Sequence, residues 1–146
     1  QVVTYCIRND IGTLIVGYNT TFQRSSDLGR QMNQVFVGIP FGILRRKLKY
    51  LCEMNGIRYV EQEESYTSMA SFWDLDEMPV YGEAGLVPPV FSGRRICRGL
   101  YQDRSGRRIN ADVNGALNIM RKCNIVSLRA LYDRGDVDTP VRIRIA

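Results

Sequence analysis

IPFGILRRKLKYLCEMNGIRYVEQEE, residues 39–64, carries a helix and a strand with their punctuation in place. Pro40 stands at the first turn, where a missing N–H costs nothing, and Gly56 marks the end. Phe41, Leu44, Leu48, Leu51 and Cys52 recur at helical spacing and form the expected buried stripe. Arg45, Arg46, Lys47 and Lys49 read as a solvated face, with phosphate contact as the alternative. IRYVEQEE follows as a strand. Upstream, TLIVGYN (residues 13–19) is a short β-branched apolar run that suits a strand covered on both faces. Strand, helix and strand joined by a right-handed crossover predict two parallel neighbours, hence an α/β layered domain.

Working outward, Val2, Val3, Cys6 and Ile7 have helical spacing, and Asn9-Asp10-Ile11-Gly12 is a turn. Residues 20–34 are a polar excursion. Residues 65–108 lack periodicity and contain Gly82, Gly85, Pro88, Pro89 and Gly93, so an irregular insertion is expected there. Ala116, Leu117, Ile119 and Met120 then predict a helix, with Asn110, Asp112 and Asn114 crowded about its start. Past Asn124, SLRALYDRG suits a short helix and VRIRIA an edge strand or extended tail. The expected division is a domain over 1–124 and a tail over 125–146.

The chain has 146 residues, enough for one domain, and 45% of them are apolar. No stretch approaches the roughly 20 apolar residues that span a bilayer. It opens on Gln1 without a signal pattern, so a soluble piece of a longer polypeptide is expected. Cys6, Cys52, Cys97 and Cys123 are far apart and histidine is absent, which argues against a zinc ribbon and for buried free thiols. The formal charge is +5, and Arg94, Arg95, Arg98, Arg104, Arg107 and Arg108 crowd one segment with Phe91 and Tyr101 between them. Guanidinium forks match phosphate geometry and stack on bases, which points to nucleic acid; a solvated loop is the plainer alternative.

Glu61, Glu63 and Glu64 fall at the carboxyl end of the second strand, the edge where parallel sheets gather ligands. Asp112 opens a helix beside Gly115 and Ala116, small residues that leave room for a hydrated cation and a phosphate. Helix capping alone also accounts for an Asp there. Hard oxygen donors without histidine favour Mg²⁺ or Mn²⁺ over Zn²⁺. Two carboxylates are too few for a two-ion phosphoryl-transfer site, so a third is expected from chain outside these residues.

IGTLIVGYN, MNQVFVGIPFG, LKYLCEMNGI, EESYTSMASF, FSGRRICRGLY and INADVNGALNIMRK, taken together and in this order, resemble the C-terminal half of the TnpB family. These are OrfB-type insertion-sequence proteins, RNA-guided DNA endonucleases related to type V CRISPR effectors. The resemblance implies the C-terminal portion of a RuvC-like nuclease domain of RNase H fold, with guide RNA, target DNA and the N-terminal part of the same protein as partners. It also implies a prokaryotic, cytoplasmic setting, nucleoid-associated activity and no membrane. Asp112 matches the family's last metal-binding Asp, and the first Asp belongs to a segment upstream of Gln1. Where the family usually has its Glu, this chain has Gly17, Tyr18 and Asn19. Some branches use a glutamate on the adjacent strand, here Glu64, which leads into SYTS, or alternatively Glu63.

The family's four-cysteine ribbon is reduced to Cys97, so no zinc is expected and the Arg-rich insertion takes its place. Arg94, Arg95, Arg98, Arg107 and Arg108 are the expected nucleic-acid contacts. A nuclease-dead RNA- or DNA-binding module of the same family is the alternative.

Overall fold

The computed structural model describes residues 1–19, 40–80, 89–128 and 131. The polar excursion after Asn19, most of MNQVFVGIPFG, Gly82, Gly85, Pro88, and the elements expected past Leu128 lie largely outside them. The chain forms two compact units, residues 1–61 and 62–146.

The first unit contains helix α1 (Val2–Arg8), strand β1 (Thr13–Tyr18), helix α2 (Phe41–Met54) and the start of strand β2 (Arg58–Glu63). Its core is Val3, Cys6, Cys52 and Ile57, with Ile11, Leu14, Leu48, Leu51 and Tyr59 packed around it. β1 and β2 are hydrogen-bonded neighbours in a two-stranded sheet. Every residue of β1 is half-buried. The sequence placed α2 well: Pro40 caps it, and Gly56 follows the C-cap in the left-handed region at φ 67°. The buried stripe is shorter than expected. Cys52, Leu48 and Leu51 reach the core, whereas Phe41 and Leu44, in the first turn, are 38% and 48% exposed. Helical periodicity names a face, but only the part of that face opposed by another element is buried.

The second unit corrects the expectation of an irregular insertion. Within residues 65–108 lie strands β3 (Arg94–Cys97) and β4 (Leu100–Gln102), and β5 (Arg108–Asn110) completes an antiparallel sheet of order β3-β4-β5. β5 runs directly into helix α3 (Ala111–Cys123). Tyr101 and Ile109 are opposite one another and fully buried, packing with Phe72, Ala111, Leu117 and Leu128. Gly93 is where a Cβ would stand 2.6 Å from Gln102 O and from the Tyr101 ring, so only glycine lets β3 lie against β4. A bulge between Arg95 and Cys97 ends the regular pairing of β3.

The segment after β2 is a series of turns that runs along α3. Asn118 donates to Thr67 O (2.9 Å) and Ala70 O (2.7 Å), and Asn114 donates to Ala70 O (2.9 Å) while accepting from Phe72 N–H (3.1 Å). Both asparagines are completely buried. They meet backbone groups that no strand partner satisfies, which is what burial of a non-repetitive segment demands. Among the described residues no helix is long and apolar enough to cross a membrane.

Candidate nuclease and nucleic-acid site

Four carboxylates were singled out by the sequence, and their surroundings divide them. Glu61 is engaged inside the first unit: Arg45 donates to it at 3.1 Å and the Tyr59 hydroxyl at 3.0 Å. Burial, and then the Glu61 bond, push the Tyr59 hydroxyl up to about 12. Arg45 also lies over the Tyr18 ring at 5.4 Å. Glu63 is engaged inside the second unit, accepting from Ser65 N–H at 2.6 Å, from the Ser65 hydroxyl, and from Lys122 Nζ at 2.5 Å. Burial works upward on Glu63, but the bonds from Lys122 and Ser65 outweigh it and hold the carboxyl below its ordinary range.

Glu64 differs. It is half-buried, and its carboxylate makes no hydrogen bond or ion pair among the described residues. Burial, and then the charge of Glu63, push it above the ordinary carboxylate range. A partly desolvated carboxylate beside a like charge is stabilised by any cation that reaches it.

Asp112 is exposed in the first turn of α3, and the helix cap is a different residue. Asn110 Oδ1 accepts from the N–H groups of Asp112 (2.9 Å) and Val113 (3.1 Å). The local duty that would have explained an Asp at this helix start is thus already performed, and the Asp112 carboxylate has no protein partner among the described residues. One turn on, Gly115 has nothing within 4 Å of where a Cβ would be.

Glu64 begins the turn segment that Asn114 and Asn118 fasten to α3, and Asp112 begins α3 itself. Glu64 precedes Thr67, which Asn118 holds in the second half of the helix, whereas Asp112 lies in its first turn. Carboxylate oxygens are hard donors of the kind that Mg²⁺ or Mn²⁺ prefers. Among the described residues no three acidic, Cys or His side chains gather into a metal-binding group.

The register of the small sheet sorts the arginines. Arg94, Gln102 and Arg108 form one row across the three strands, on the face opposite the buried side chains of Tyr101 and Ile109. Arg95 shares the row of Tyr101 but stays exposed on the outer strand, and Arg98 sits in the turn before β4. Arg107 stacks over Trp73 at 4.6 Å. All five are exposed, and none forms an ion pair among the described residues. Arg104, by contrast, is tied down through Asp74 and Ser92. Cys6 and Cys52 are buried free thiols as expected, whereas Cys97 is exposed and Cys123 half-buried.

Sequence reasoning did not anticipate Asn114, Asn118 or Lys122 as the groups that hold this region together. Their helical spacing of four was the available signal.

The profile of the Cas12f1-like TNB domain matches residues 41–119, more than half the chain, from α2 into the third turn of α3. The chain belongs to the Cas12f1-like TNB family. That family is related to TnpB and Cas12 proteins and consists generally of nucleases, which agrees in its broad terms with the resemblance noted from the motifs. The matched span holds Glu64, Asp112 and the arginine row together with the asparagine clasp. No curated protein matches the chain.

Proposed function

We propose that this chain is the C-terminal part of a RuvC-like nuclease domain of RNase H fold, in a transposon-associated, RNA-guided DNA endonuclease. One observation carries the proposal: Glu61 and Glu63 are occupied by protein partners, while Glu64 and Asp112 are left without any among the described residues. Leaving a half-buried carboxylate unpaired is costly unless something else compensates it. Glu64 and Asp112 would hold Mg²⁺ or Mn²⁺ together with a further carboxylate from the N-terminal part of the protein. When bound, such ions supply an activated water and stabilisation of the leaving oxygen. The chain's own residues orient that site, and the arginines hold the phosphate backbone of guide RNA or target DNA. Base pairing, not these side chains, would read sequence.

The test is cleavage by the full-length protein with its guide and a matched target. Cleavage is expected with Mg²⁺ or Mn²⁺ and is abolished by a chelator. Binding of nucleic acid with no cleavage in any divalent ion would instead establish the nuclease-dead module.

The arginine row gives a separate expectation. Arg94→Gln combined with Arg108→Gln should weaken binding for all sequences alike. It should also reduce the slope of log affinity against log salt by about 0.9 per lost contact on a duplex, hence nearly two for the pair. An unchanged slope in a salt titration would make them ordinary surface charge.

A further inference from the structure

We propose that Trp73 is a positioning residue that holds the Arg107 guanidinium ready for a nucleic-acid phosphate before any ligand arrives. This rests on the reading of the exposed arginines as phosphate contacts. Arg94, Arg95, Arg98 and Arg108 make no side-chain hydrogen bond, ion pair or ring contact among the described residues, so a ligand must order each of them at a cost in affinity. Arg107 is ordered already, with its guanidinium carbon 4.6 Å from the centre of the Trp73 ring.

Both partners of the stack are themselves held. Trp73 meets Phe72 edge to face at 5.1 Å, and Phe72 is completely buried with its N–H bound to Asn114 Oδ1. On the other side, the buried Asp103 accepts from Arg107 N–H and from the Ser105 hydroxyl, both at 2.8 Å, and Asp103 N–H donates to Arg107 O at 3.0 Å. Arg104 N–H donates to Asp74 at 3.0 Å, which ties this turn to the residue after Trp73.

The manner of holding decides what remains available. Arg104 and Arg121 are fixed through their donors, on Ser92 Oγ and Asp76 O. Arg107 is fixed through its face, which leaves the N–H groups in its plane, and no oxygen of the described residues takes them. Paired N–H groups of that plane match two phosphate oxygens. The carboxylates of Asp74 and Asp103 are spent on backbone N–H groups of the same turn, and Arg108 adjoins it.

The test titrates the full-length protein with a labelled DNA duplex and, separately, a labelled single-stranded RNA, each of arbitrary sequence, between about 50 and 200 mM salt. Melting temperatures are read alongside. Arg107→Gln should weaken binding about ten-fold and reduce the slope of log affinity against log salt by about 0.9 on the duplex or about 0.7 on the single strand. Trp73→Leu should weaken binding about five-fold with the slope unchanged, because the charge stays and only its order is lost. Trp73→Phe keeps an aromatic face and should recover most of that loss. In Trp73→Leu/Arg107→Gln the tryptophan change should add nothing to the arginine change, since Trp73 acts through Arg107. The nucleic acid on which these effects are read identifies the source of the phosphate.

Equal weakening by Trp73→Leu with and without Arg107 would overturn the inference and leave Trp73 a residue of the core alone. So would wild-type affinity in Trp73→Leu. If that variant does not fold, Arg107→Lys carries the comparison: it keeps the charge without the planar face, so affinity should fall with the slope unchanged, and wild-type affinity would overturn the inference. An unchanged slope in Arg107→Gln on both nucleic acids would remove Arg107 from the phosphate contacts and this inference with it, while Arg94 and Arg108 report the wider reading separately.

Discussion

Asp112→Asn in the full-length protein is expected to abolish cleavage while leaving the melting temperature nearly unchanged. The two effects separate because the helix is capped by Asn110, whose Oδ1 takes the N–H groups of residues 112 and 113. The substitution keeps size and shape and removes a formal charge that no protein group among the described residues compensates. If that charge holds a divalent ion, its loss withdraws several kcal/mol of transition-state stabilisation, about three orders of magnitude in rate. Asn110→Ala is the mirror variant. It should cost about 1 kcal/mol of stability through the lost cap. Glu64→Gln should behave like Asp112→Asn, and Glu61→Gln should not, since Glu61 is bound to Arg45 and Tyr59. Full cleavage by Asp112→Asn, or a loss of stability equal to that of Asn110→Ala, would remove Asp112 from the site.

The largest loss of stability is expected from Asn114→Leu. This side chain is completely buried and satisfies two backbone groups of the turn segment, Phe72 N–H and Ala70 C=O. Leucine has similar bulk but no polar atoms, so Phe72 N–H would lose its Asn114 acceptor in the core. Ala70 C=O would keep only its bond from Asn118. An unsatisfied buried donor costs about 1–3 kcal/mol, and the second lost bond adds about 1. For a unit of this size each kcal/mol is about 4–8 °C, so the melting temperature should fall by about 10 °C or more. Cleavage should fall too, but with the fold, which distinguishes this variant from Asp112→Asn. A change of under about 2 °C in a thermal melt would show that the clasp contributes little.

The parts of this molecule that were legible in its sequence are those with long periodicity or strong punctuation. α2 is framed by Pro40 and Gly56, β1 is a continuous apolar run, and α3 repeats its apolar residues through three turns. The small sheet escaped because strands of three or four residues hold too few alternations to register. β4 and β5 each fully bury only the central side chain, Tyr101 or Ile109, and one buried residue sets no period. The candidate carboxylates were legible as a list, not as a division. Part of what binds Glu63 is Lys122, 59 residues further on, which no local pattern announces. Nor does spacing alone say which of Asn110 and Asp112 caps the helix. That is decided by the extended backbone of Asn110, at φ −58° and ψ 130°, which swings its amide oxygen onto the N–H groups of Asp112 and Val113.

The asparagine clasp has a consequence for how this protein can change over time. Phe72 and Asn114 are 42 residues apart in sequence yet share a hydrogen bond, so the chain between them leaves one point of the structure and returns to it. A closed excursion of this kind is tolerant of length: doubling it raises the entropy of closure by only about 0.6 kcal/mol. Less than one buried bond of the clasp offsets that. The connections within this excursion can therefore change in length at little cost, whereas the strands themselves are held to α3 by Tyr101 and Ile109 in the shared core.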